Sequence, residues 1–305
     1  MSEPSSPDLE VHREALRRHC YRMTGSFSEA EDLVQETMLC AWRALDTLQG
    51  RDTPGPWLFR IATNLCLSWL RSRARRQLPQ ALGPAAGDVL PGPRASEVSW
   101  ITPYPWEPGP EAVMLANENI RLAFIVALQR LPARQRAVLL LREVLGWSAV
   151  QTAETLETTV ASVNSALQRA RATLSRQPDL TLPPSPPAPQ VLSRYVNAWM
   201  NLDVDGLVAL LSEDATLAMP PYREWYRGPE EIRGLMTWAW ARPERGRGVS
   251  QMDPLSLNGQ SGFAHYLDGK PHTLQILDIQ ADQVGAITLF HQTEFFDAFH
   301  LTRVP

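Results

Sequence analysis

The 305-residue sequence predicts a multidomain protein: two all-α domains followed by an α+β domain. Three observations carry this. Two proline-rich stretches, 78–110 and 178–189, divide the chain into blocks of about 10–77, 111–177 and 190–305. The first two blocks repeat apolar residues at helical spacing, whereas the third moves from helical to strand-like patterns.

In the first block, "SEAEDLVQETMLCAWRAL" carries Ser28 with Glu31 three residues on, which predicts a capping box. Val34, Met38, Ala41, Trp42 and Leu45 follow at helical spacing and are expected to face a core. Asp32, Gln35, Glu36 and Leu39 fall on another face. "TPGPWLFRIATNLCLSWLRSRARR" then predicts an amphipathic helix with Pro56 in its first turn, running into four arginines within residues 71–76.

Residues 78–110 contain eight prolines and no sustained period, so neither a continuous helix nor a central strand fits. In the second block, Ser148 is expected to cap "AVQTAETL", with Ala153 at its packed centre. Thr158 or Thr159 caps the next helix, which begins at Val160. The short interval between them suits a helix-turn-helix, and a small helical bundle with a solvated polar face is the competing reading. Val163 and Leu167 form the buried stripe, leaving Ser162, Asn164, Ser165, Gln168, Arg169 and Arg171 for solvent or DNA.

Residues 178–189 hold six prolines in twelve positions and read as an extended spacer. The last block opens with helical patterns at 191–212 and near 229–241. Strand-like runs follow: "ATLAM", "LSLNGQSGFAHYL" with Asn-Gly as a hairpin signal, "HTLQILDIQ" and "VGAITLFH".

Charge is unevenly placed. Residues 1–189 carry a net +1 and residues 190–305 a net −5, within an overall −4. Local patches, not the average, decide phosphate binding. No apolar run approaches the roughly 20 residues of a membrane span, so no membrane partner is expected. The N-terminus has neither a basic start nor an apolar stretch, which argues against a secretory signal. Cys20, Cys40 and Cys66 form no CxxC pair; buried free thiols in a reducing cytoplasm are the expectation, with no zinc site, other metal or cofactor.

Together, "AEDLVQETMLCAWRAL", "PWLFRIATNLCLSWLR" and "LPARQRAVLLLREVLGWS…VASVNSALQRAR", in this order, resemble the extracytoplasmic-function (ECF) group of bacterial sigma-70 family factors. The likeness covers residues 10–77 as region 2 and 111–177 as region 4. The third block resembles the SnoaL-like cones of the nuclear-transport-factor-2 type, by order and pattern more than by a motif. The resemblance implies a non-enzymatic factor that directs core RNA polymerase to promoters.

It also implies roles. Asp32, Gln35, Glu36 and Leu39 dock on the β′ clamp helices, acceptors on one face suiting an Arg-rich partner. Region 4 contacts the β flap and the −35 element. Trp57, Arg60, Asn64, Arg71, Arg73, Arg75 and Arg76 serve the −10 element, where opening the duplex requires a pocket for an unstacked base and cationic tracking of the strand. Loop residues 46–56 are candidates for that pocket. Trp57 is read equally as a core residue. Ser162, Asn164, Ser165, Gln168, Arg169 and Arg171 read or clamp −35 DNA.

Three positions depart from the family pattern. Ser68 stands where Asp or Asn is common, and Asn164 and Ala166 stand where Lys or Arg is common. The C-terminal block is expected to regulate in cis, with a small molecule or protein as its signal. A second reading makes it an enzyme with His265, His272, His291, Asp278 or Glu294 as candidates by type only, and Trp199, Trp225, Trp238 and Trp240 as core. A third, a helix-turn-helix repressor with a ligand-sensing domain, leaves the first block unexplained.

Overall fold

The computed structural model describes residues 8–45, 54–106, 120–176, 189–242, 248–280 and 282–301. Met1–Arg76 with Gly109–Thr181 form one compact unit, and Gln77–Pro108 with Leu182–Pro305 form a second.

The first unit is helical. α1 (Arg13–Thr24), α2 (Phe27–Arg43) and α3 (Pro54–Leu70) pack on a core that includes Leu16, Cys20, Met23, Leu33, Val34, Met38, Leu58 and Cys66. Gly25, at φ 71°, ends α1 in the left-handed conformation that favours glycine, its N–H donating to Tyr21 O at 2.7 Å. The expected capping box does not form. α2 starts a residue before Ser28, with Ser26 in extended backbone at its N-cap, and Glu31 pairs with Arg17 of α1 instead of reaching back to the helix start.

Trp42 also departs from expectation, being 61% exposed, while Leu45 is half-buried. At about 100° per residue Trp42 lies roughly 80° from Val34 around the helix. Met38 and Ala41 lie nearer that stripe and are buried. Trp42 therefore sits on the side of Gln35 and Leu39, away from the core.

In the same unit, α4 (Leu122–Gln129), α5 (Ala133–Leu139, continued by a π-helical turn at Leu140–Val144), α6 (Ala149–Thr155) and α7 (Val160–Leu174) form the second helical group. Ser148 caps α6 in a full capping box with Gln151, and Thr159 Oγ1 caps α7 by accepting from Ser162 N at 3.1 Å. Ala153 is buried as expected, and so are Val163 and Leu167.

The second unit is α+β. α8 (Pro189–Asn201), α9 (Val204–Val208) and α10 (Gly228–Trp240) accompany a six-stranded sheet of β1 (Leu211–Ala218), β2 (Trp225–Arg227), β3 (Ser250–Leu257), β4 (Gln260–Leu267), β5 (Lys270–Gln280) and β6 (Gln283–Phe290), with a short α11 (Glu294–Ala298). Strand order is β2-β1-β6-β5-β4-β3; β1 and β6 run parallel and the other neighbours antiparallel. The β3–β4 hairpin turns on Asn258 and Gly259, both at positive φ, which is what an Asn-Gly pair supplies. Tyr195, Trp199, Leu217, Ile232, Phe263 and Ile287 belong to the core.

Residues 77–106 have little regular structure but belong to this second unit. Ile101 and Tyr104 are fully buried in it, and Leu78 and Trp100 nearly so. Both edge strands bind the segment. At β2, Trp225 O accepts from Ala86 N at 2.8 Å and Tyr226 Oη donates to Val89 O at 2.8 Å. At β3, Pro105 bridges to Leu257, and Ser256 O accepts from Trp106 N at 3.0 Å. Asn258 is wholly buried; its N–H donates to Tyr104 O at 2.8 Å and its Oδ1 accepts from Tyr104 N at 2.9 Å. Open edges expose unpaired backbone groups, and this segment covers part of each.

Candidate nucleic-acid interface

Four groups of side chains were expected to carry function. On α2, the burial of Leu33, Val34, Thr37, Met38 and Ala41 turns the opposite face outward. Asp32, Gln35, Glu36 and Leu39 are all exposed there, and Trp42 joins them. Leu39 and Trp42 thus put apolar surface beside acidic and amide acceptors. The periodic spacing that assigned Trp42 to the core hid it; its angular offset from Val34 was the available signal.

On α3, Leu58, Phe59, Ala62 and Cys66 face the core. Trp57, Arg60 and Asn64 share the opposite side, Trp57 half-buried and the other two exposed. Trp57 is therefore neither wholly core nor fully presented. The expected pocket loop lies at 46–53 outside the described residues; of the rest, Pro54 and Pro56 belong to the first turn of α3. The helix ends at Leu70, so the arginine cluster follows in a turn and not on a continued helix. Arg71, Arg73 and Arg75 are exposed and Arg76 is half-buried. Arg73 lies over the Trp69 ring at 4.8 Å, and Arg76 meets Glu29 at 3.4 Å.

On α7, Ser162, Asn164, Gln168, Arg169 and Arg171 are exposed and Ser165 is half-buried. Arg169 donates to Ser165 Oγ at 2.6 Å, and Arg171 pairs with Glu143 at 2.6 Å. Ala166 is buried between Val163 and Ala170 on the packed side. Its small side chain answers to packing, so the expectation that it replaces an exposed base-reading cation is corrected.

In the second unit, His265, His272 and His291 come together. Ring centroids of His265 and His272 are 5.3 Å apart, and those of His272 and His291 5.8 Å. His265 shares a 2.7 Å hydrogen bond with Ser250 Oγ and meets Trp199 edge-on at 5.6 Å. A cavity of about 140 Å³ beside His265 is walled by Trp199 and Trp240. Asp278 is half-buried and Glu294 exposed. Trp199, Trp225 and Trp240 are buried and Trp238 partly so, as core residues should be.

Known proteins resemble this chain over most of its length. Residues 9–76 match the family model for sigma-70 region 2, and residues 121–174 match that for sigma-70 region 4. The ECF RNA polymerase sigma factor SigG of Mycobacterium tuberculosis is 42% identical over 312 aligned positions, covering 96% of this chain and 84% of the relative. SigJ of the same organism is 33% identical over 208 positions, covering 67% of this chain and 62% of the relative. The crystal structure of M. tuberculosis SigJ superposes with a TM-score of 0.66 at 22% sequence identity, covering 94% of this chain and 96% of that one, a shared fold that includes the C-terminal sheet and its helices. The chain belongs to the ECF group of sigma-70 factors, which direct core RNA polymerase to promoters.

Proposed function

We propose that this sigma factor divides promoter work between its helical groups and is regulated in cis through the segment that joins them. The α2 face docks on polymerase through Asp32, Gln35, Glu36 and Leu39, with Trp42 as the added apolar anchor. Trp57, Arg60, Asn64 and the arginines at 71, 73, 75 and 76 serve the −10 element, stacking and tracking the opened strand. The α7 face reads the −35 element. Asn164 and Gln168 suit adenine and Arg169 suits guanine, while Ser162, Ser165 and Arg171 position the backbone. The protein catalyses no reaction in this reading and acts in the cytoplasm with the polymerase.

The observation that carries regulation is the docking of residues 77–106 on both edges of the C-terminal sheet. This segment links region 2 to region 4. As a free tether of 30 residues it spans up to roughly 100 Å at about 3.3 Å per residue. Held on the sheet, it no longer sets that reach itself; the C-terminal unit does. A signal that loosens Tyr104 or Asn258 lengthens the tether.

The test is Asn258→Ala in the full chain, which removes the side-chain acceptor of Tyr104 N without touching a polymerase- or DNA-facing residue. Promoter-specific transcription with core enzyme is expected to change several-fold, as it is for a chain lacking residues 190–305. Unchanged transcription at every promoter by both proteins sinks regulation through the linker and leaves the promoter reading intact.

A further inference from the structure

Within the first unit, the chain after α3 meets the end of α4 and the start of α5 around a cavity of about 280 Å³. Five arginines line it: Arg73, Arg75 and Arg76 from region 2, Arg130 and Arg136 from region 4. No carboxylate is among the described lining residues. The volume equals roughly nine water molecules at about 30 Å³ each, room for several linked tetrahedral groups.

Arg136 is the unusual member, only 4% exposed. Its described hydrogen-bond acceptors are all neutral: Met23 O, Gln129 Oε1 at 2.5 Å, Leu131 O at 3.1 Å and Gln129 O at 3.4 Å. Its Nε is buried and meets no acceptor among the described residues. A buried cation ordinarily has a counter-ion. Arg75 adds a second charge, donating to Gln129 O across the junction. Burial first, and the Arg75 charge second, hold Arg136 down to about 9; burial and then Arg130 lower Arg75. Among the described residues, Glu29 pairs with Arg76 but does not line the cavity.

We propose that this cavity binds an oligophosphate, two or three linked phosphates either free or carried by a nucleoside. Planar guanidinium forks match phosphate oxygens bidentately. Phosphates of a DNA strand are single charges spaced by sugars. Five cations around one small volume match several charges on one compact ligand better. The lining comes from both regions, so the ligand fastens them together. The −10 and −35 elements are centred about 25 base pairs apart, roughly 85 Å at 3.4 Å per pair. A compact unit of this size is roughly 40 Å across. An anion that holds the regions packed therefore opposes promoter engagement, a consequence that rests on the promoter reading above; the binding itself does not.

The full-length protein is titrated calorimetrically with sodium tripolyphosphate in metal-free, low-salt buffer. Saturable binding of one equivalent is expected, about tenfold or more weaker in Arg130→Gln, a variant checked for unchanged circular dichroism. Inorganic monophosphate should bind about tenfold less tightly, and a nucleoside triphosphate arm tells whether a base adds affinity. Absence of saturable tripolyphosphate binding overturns the site. So does binding that Arg130→Gln leaves unchanged, or Arg130-dependent binding of single-stranded DNA that tripolyphosphate fails to displace. Capture of the protein by core polymerase should slow with tripolyphosphate for the native chain and not for Arg130→Gln. Failure of capture without any anion counts against the sigma reading alone.

Discussion

His19 lies wholly inside the helical unit, its Nε2 2.9 Å from Thr63 Oγ1 and its ring edge-on to Phe59. Burial, with the nearby Arg22 charge second, lowers its pKa to about 3. The unfolded chain takes up a proton near 6.5 that the folded chain refuses until about 3. Stability contributed by the neutral ring is thus intact above 6.5 and declines as pH falls through that window, by up to about 1.4 kcal/mol per unit. Between pH 7 and pH 5 the native chain should lose about 2 kcal/mol more than His19→Gln in urea unfolding. Equal losses for the two proteins would falsify the assignment. At this scale the sequence spoke unevenly. Asp32, Gln35, Glu36 and Leu39 were legible because the helical period turns them away from the side of Val34 and Met38. Trp42 was not, because its approximate helical spacing from Met38 argued for burial while its angle from Val34 placed it outside.

Elements were most legible where side chain and backbone settle the matter within one turn. Ser148 with Gln151, and Thr159 with Ser162 N, cap α6 and α7 through contacts three residues long. Thr159→Ala should therefore cost about 1 kcal/mol in thermal unfolding. The start of α2 shows the limit. Ser28 and Glu31 have capping-box spacing, but Glu31 is claimed by Arg17 on another helix, a partner that local sequence does not reveal. On α7, Asn164 faces solvent and Ala166 faces the core, which yields opposite outcomes for similar substitutions. Asn164→Arg should shift −35 preference in promoter selection with stability within about 0.5 kcal/mol of the native chain. Ala166→Arg forces a charge into packed surface and should lower stability by several kcal/mol, roughly the cost of a buried unpaired ion. Melting curves that rank these two the other way would restore Ala166 to the reading face.

At the scale of the whole molecule, residues 77–106 matter most. Tyr104 is fully buried and tied to Asn258, so Tyr104→Ala should cost about 3–5 kcal/mol in unfolding of the C-terminal unit, as large aromatic truncations do. A chain cleaved at a protease site inserted within 107–119 should still elute as one species, since 77–106 stays on the sheet. Separation of the pieces on gel filtration counts against stable docking. The sequence by itself determined the helical and strand periods, the caps of α6 and α7, the Asn-Gly turn and the order of motifs, because each depends on residues within a few positions. It also marked 78–110 as unfit for helix or central strand. Only the tertiary structure decided that this stretch covers both sheet edges, that Trp42 stays outside and that arginines from two regions surround one cavity. Those outcomes depend on partners distant in sequence, such as Tyr104 with Asn258 and Arg75 with Gln129, and no local period encodes them.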